Sequence, residues 1–271
     1  MCAQKKAGCN VEAVTGVFRV LADARRSVDA LRSKGVPEDR ITLLTPWDGD
    51  AVESVPVDTS EAPGIGKALG AVVGAAGGLS GGSLLMAVIP GVGPVTALGM
   101  LGAAVVGAAG ATIGGAVGGA IDNSASRGLP EDEIFVYEDA LRRGRSVVIA
   151  LAEDSAEVNI VRDALRHEGA ETVDAARHEW WIGLRSAERE HYLAGGSEFD
   201  KAEKFYRLGF EAALHARTRC KEFDQVSAEM ASNLEELQKG YPGADIEEPY
   251  TRGYQRGREY YQHLCDESRA A

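Results

Sequence analysis

Five histidines, four cysteines and a cluster of acids after Pro130 are the side chains with most chemistry to offer. The histidines are His167, His178, His191, His215 and His263. No H-E-x-x-H places two of them on one helical face with a general base between, so zinc hydrolysis has no ligand set. Cys2, Cys9, Cys220 and Cys265 form no C-x-x-C pair and match no zinc or haem spacing. They read as ordinary thiols of a reducing compartment. Asp132, Glu133, Glu138 and Asp139 recur at helical spacing, as a solvated acidic face does. No serine sits in a G-x-S-x-G elbow, and no G-x-x-x-x-G-K-[ST] loop cradles a phosphate. Nothing gathers a nucleophile, a base and an orienting group. The expectation is therefore a non-enzymatic protein with no catalytic residue, no metal and no cofactor. The formal net charge of -12 argues against nucleic acid as the main partner, because phosphate binding needs a basic surface.

The residue type that does stand out is glycine, 33 of 271 residues. From Ala68 to Ile121 there are 54 consecutive residues without Asp, Glu, Lys, Arg or His, and 16 of them are glycine. Gly66, Gly70, Gly74, Gly78 and Gly82 repeat every fourth position. Gly99, Ala103, Gly107, Ala111, Gly115 and Gly119 form a second row of small residues with the same spacing. Residues four apart share a helix face, and a face without side chains lets another backbone approach, the small-xxx-small mode of association in bilayers. Glycine costs a helix about 1 kcal/mol per residue in water, whereas lipid enforces helix by penalising unpaired backbone.

The run is interrupted at Ile89-Pro90-Gly91-Val92-Gly93-Pro94, where Pro90, Gly91, Gly93 and Pro94 predict a tight turn. The flanking pieces, Ala68–Ile89 and Val95–Ile121, are each long enough as helices to cross about 30 Å of hydrocarbon. The expectation is a transmembrane helical hairpin over 64–121, with both termini on one side. Lys67, Arg127, Arg142, Arg143 and Arg145 put that side in the cytoplasm, at a bacterial inner membrane. The alternative is a cytoplasmic protein whose glycine-rich hairpin is buried in an oligomer.

Around this insert the pattern is that of a soluble domain. Residues 1–12 are polar, with no secretory core, and read as a disordered start. Val14 to Leu21 predicts a strand, Asp23 to Lys34 a helix stopped by Gly35, and Arg40 to Thr45 a second strand. Beyond the insert, a helix runs from Pro130 to Arg143 and stops at Gly144. A strand at Ser146–Ala152, a helix from Ser155 to Glu168 that ends at Gly169, and a last strand at Glu171–Ala175 follow. Asp29-Ala30-Leu31-Arg32 before Gly35 is echoed by Asp163-Ala164-Leu165-Arg166 before Gly169. Two βαβ units predict an α+β, ferredoxin-like domain, split as 13–63 and 122–176 by the inserted hairpin.

Residues 177–271 form a charged region with helices expected at Glu198–Thr218, Lys221–Lys239 and Tyr250–Ser268. It repeats Y-x-x-G-[FY], at Tyr206–Phe210 and Tyr250–Tyr254. Trp180 and Trp181 admit two readings: an aromatic anchor at a membrane interface, or the end of a strand packing two tryptophans over the sheet.

Three stretches carry a family resemblance: Val17 to Val36, the hairpin with its I-P-G-V-G-P turn, and L-P-E-D-E-I-F-V-Y-E-D-A-L-R-R-G-R-S-V-V-I from Leu129 to Ile149. Over roughly 14–175 the chain resembles bacterial general-stress, heat-induced proteins that carry a glycine-zipper hairpin inside a small α/β domain. The resemblance implies membrane association and stress induction, and no catalytic residues. The expected function is a membrane-associated stress protein that forms homo-oligomers through its glycine rows and presents a cytoplasmic adaptor surface, with a protein partner for the C-terminal helices. Two further readings are a soluble scaffold or ligand-sensing module, and a pore-forming or membrane-remodelling element.

Overall fold

The computed structural model describes residues 12–46, 84–89, 93–98, 130, 132–194, 198–219, 221 and 223–270. The protein is α+β. Strands β1 (Glu12–Phe18), β2 (Ile41–Pro46), β3 (Leu84–Ile89), β4 (Gly93–Leu98) and β5 (Ser146–Ala152) form one sheet in the order β1-β5-β2-β4-β3. Every pairing is antiparallel. The helices are α1 (Leu21–Ser33), α2 (Ile134–Arg142), α3 (Ser155–His167), α4 (Val173–Leu193), α5 (Phe199–Leu214), α6 (Phe223–Gly240) and α7 (Glu247–Ala270).

Alternation along the strands sends side chains to two faces, and both faces are covered. Val14, Phe18, Ile41, Leu43, Val148 and Ala150 pack against α1 and α3. Val17, Leu44, Val95, Val147 and Ile149 point the other way, into a core shared with α2, α4, α5 and α7. The C-terminal helices therefore fold back as a third layer on the sheet. The boundary expected at 176/177 falls inside α4, one continuous helix.

Helices α1, α2 and α3 stop alike. Gly35, Gly144 and Gly169 take positive φ, and the amides of Gly35 and Val36 bond the carbonyls of Arg32 and Leu31. The same pair of bonds recurs after α2 and α3, each a Schellman closure that only glycine adopts without strain.

Two expectations are corrected. The last strand, Glu171–Ala175, is reduced to a single bridge between Val17 and Glu171. Thr172 caps a helix there instead, its Oγ1 accepting from the Ala175 amide at 3.2 Å. Within the expected helical hairpin, Leu84–Ile89 and Gly93–Leu98 are strands, paired from Leu84↔Leu98 to Ile89↔Gly93. β4 continues onto β2, from Leu43↔Leu98 to Pro46↔Val95. Both glycine rows pause here, at Gly82 and again until Gly99, and the intervening Val88, Ile89, Val95 and Thr96 are β-branched, which suits a pleated surface. The Ile89–Pro94 turn thus joins two strands of the sheet. The remainder of the hairpin expectation, Ala68–Ser83 and Gly99–Ile121, lies outside the described residues.

Candidate functional site

The glycines expected to mediate packing, Gly66, Gly70, Gly74, Gly78, Gly82, Gly99, Gly107, Gly115 and Gly119, lie outside the described residues, as do Pro90 and Gly91 of the turn. Gly93 and Pro94 open β4. Trp180 and Trp181 are on a helix, 1% and 2% exposed, so neither ring presents a face to a membrane interface. Trp180 meets Phe135 edge-on at 4.9 Å and Phe210 at 5.8 Å. The indole N–H of Trp181 donates to Glu203 at 2.9 Å, which satisfies the one polar group of its ring. An amphipathic helix needs apolar mass at its contact with the sheet-covering helix α2, and the tryptophans supply it.

The polar chemistry gathers where α2, the turn after α5, and α7 meet. Glu138 and Asp139 are corrected from a solvated surface to buried positions, at 4% and 8% exposure. Asp139 is held by Arg142 at 3.3 Å and Arg143 at 2.6 Å. Glu138 accepts at 2.7 Å from Nη1 of Arg219, whose side chain is fully buried. The same Nη1 lies 3.2 Å from the hydroxyl of Tyr261 on α7. Burial works against the Arg219 charge, but Glu138 and Tyr261 outweigh it and raise its pKa. The turn that carries Arg219 is fixed by the amides of Thr218 and Arg219, both donating to the His215 carbonyl at 3.0 Å.

His215 ends α5, and its ring stacks on Phe135 with centroids 6.3 Å apart. Burial lowers its pKa to about 4, with Asp132 opposing and Arg177 and Arg219 adding to the shift. At neutral pH the ring is uncharged. Arg177, on α4, reaches Asp132 at 3.5 Å and Glu211 at 3.8 Å. Glu211 also takes a bond from Arg207 at 2.5 Å. The neutral imidazole thus lies near two guanidiniums, each paired with carboxylates: Arg177 with Asp132 and Glu211, and Arg219 with Glu138.

Sequence reasoning missed Glu138, Arg177, His215 and Arg219 as a group. One signal was present: Glu138 lies four residues after Ile134, on the buried stripe of α2. A second polar pair staples the layers. Arg19 and Arg145 each contact both Glu171 and Glu179, at 2.5 to 3.1 Å, joining the ends of β1 and β5 to α4. Among the described residues no group of three or more His, Cys, Asp and Glu side chains is placed to hold a metal. Among them, too, no helix is long and apolar enough to cross a membrane.

No family model, no curated protein and no solved structure matches this chain.

Proposed function

We propose that the chain is a non-enzymatic assembly scaffold, serving the stress-response role that its sequence resemblance implies. Its base is a ferredoxin-like unit in which the fourth strand has shrunk to the Val17–Glu171 bridge, the helical region closes the second sheet face, and copies associate through the two glycine rows. The observation that carries this reading is the register pair Leu84↔Leu98. Leu84 follows Gly82, the last glycine of the first row, by two residues, and Leu98 immediately precedes Gly99, the first of the second row.

The same pairing argues against a hairpin that crosses a bilayer and turns at Ile89–Pro94. Such a turn would lie on the far side of the membrane, whereas β3 and β4 hold it in the same sheet as β2. Without the strand residues, Ala68–Ser83 would span only about 24 Å as a helix, short of the ~30 Å required. Membrane association from one face is the second reading, favoured by the 54-residue stretch without charge. It would keep both termini at the cytoplasmic side of the inner membrane, with the lipid bilayer as partner.

Light scattering of the full chain prepared without detergent, beside a Gly74→Leu, Gly78→Leu variant, tests the proposal. The expected result is a large water-soluble particle that the paired substitution breaks into smaller species. A monomeric wild type overturns it. Flotation of the full chain with liposomes, resistant to carbonate, would transfer the conclusion to the membrane reading.

A further inference from the structure

We propose that the Nε–Nη2 edge of Arg219 is a recognition site for an oxyanion, a carboxylate or phosphate group. Nη1 of this arginine is engaged by Glu138 and Tyr261. Nε and Nη2 are buried and, among the described residues, have no hydrogen-bond partner. These two atoms carry the parallel N–H groups of one guanidinium edge, the fork that matches two oxygens of a carboxylate or phosphate. A single buried donor left unpaired costs about 1–3 kcal/mol, and more on a charged group, so two on one cation are an unusual thing for a fold to retain.

The surrounding charges are paired, three guanidiniums with three carboxylates, so the two open donors of Arg219 are the feature left for an anion. Arg177, Arg207 and Arg219 face the buried carboxylates Glu138 and Glu211, while Asp132, the third acid, is half exposed. The Nε of Arg177 is likewise buried with no hydrogen-bond partner among the described residues. His215, uncharged at neutral pH and incompletely buried, caps the helix that leads into the turn carrying Arg219. A ligand enters by local opening of this turn, whose ties include the two amide bonds to the His215 carbonyl, the bond from Thr218 Oγ1 to the Ala212 carbonyl, the bond from the Tyr254 hydroxyl to the Thr218 carbonyl and the bond from the Lys221 amide to that same carbonyl. Occupancy then holds the turn closed.

The test uses the full chain, titrated separately with sodium acetate and sodium phosphate against sodium chloride of equal ionic strength, in the wild type and in Arg219→Lys. The lysine keeps a cation beside Glu138 and removes the fork. The expected result is a saturable rise in Tm with one of the two anions, slower amide exchange across residues 215–219, and binding weakened about tenfold or more in Arg219→Lys, as loss of one charge-assisted bond implies. Response to acetate alone assigns a carboxylate, and response to phosphate alone a phosphoryl group. No saturable rise in the wild type, or an equal rise in the variant, overturns the proposal. Should Arg219→Lys not fold, calorimetric titration of the wild type decides, and absence of saturable heat with both anions overturns it.

Discussion

Gly209 on α5 and Tyr250 on α7 are in backbone contact: a Cβ at Gly209 would lie 1.9 Å from the Tyr250 carbonyl oxygen. The relation is reciprocal, because a Cβ at Gly253 would lie 1.9 Å from the carbonyl oxygen of Tyr206. The two Y-x-x-G-[FY] repeats are thus the two halves of one helix crossing, each glycine receiving the tyrosine backbone of the other repeat. Gly257 extends the contact toward Phe210 and Ala213. Because the opposing atoms are backbone, no side chain can swing aside. Gly209→Ala and Gly253→Ala should each destabilise by about 3 kcal/mol, the upper end of overpacking costs, with a lower midpoint in urea. Gly240→Ala, at a position with open space and no positive φ, should instead be neutral or stabilising by up to about 1 kcal/mol. Equal effects at the three sites would refute the crossing.

The Glu138–Arg219 pair ties α2 to the turn after α5 across 81 residues of sequence. Removing one partner leaves a buried charge uncompensated. Glu138→Gln or Arg219→Met alone should cost about 3–5 kcal/mol, while Glu138→Leu with Arg219→Met should recover much of that loss. A double-mutant cycle in urea measures the coupling; additive costs would mean that the two groups do not act as a pair.

These positions also show what was legible in the chain. The helices that end in D-A-L-R before a glycine were readable, because the apolar period and the stop signal coincide. β3 and β4 were not, since in a run where nearly every residue is apolar the helical and strand periods cannot be told apart. The start of α4 was misread because Val173 looks like strand, although Thr172 followed by Asp174 is a helix entry. Arg219 gave no local sign at all. Its meaning depends on Glu138 and Tyr261, which reach it only through the fold.

His215 should make the fold acid-sensitive. In the unfolded chain its pKa is near 6.5, and burial lowers it to about 4 in the folded state. Between those values the unfolded state binds the proton and the folded state does not, so stability falls as pH drops through that window. His215→Phe keeps a ring against Phe135 and removes the titration. Tm measured from pH 7 to pH 4 should fall less steeply in the variant; identical slopes would show that the imidazole does not contribute.

Trp180 and Trp181 separate a core role from a membrane one. Trp180 fills the contact between α2 and α5, and Trp180→Ala should cost about 3–5 kcal/mol by cavity formation. The location can be read directly by fluorescence. In a Trp47→Phe background the remaining emission comes from these two rings. Buried at 1% and 2% exposure, they should emit to the blue of free tryptophan and resist quenching by acrylamide. Vesicles of brominated phosphatidylcholine should leave that emission unchanged even if the glycine rows bind the bilayer, because the rings belong to the interior of the body and not to its surface. Quenching by the brominated lipid would place the rings at the interface and remove α4 from the core.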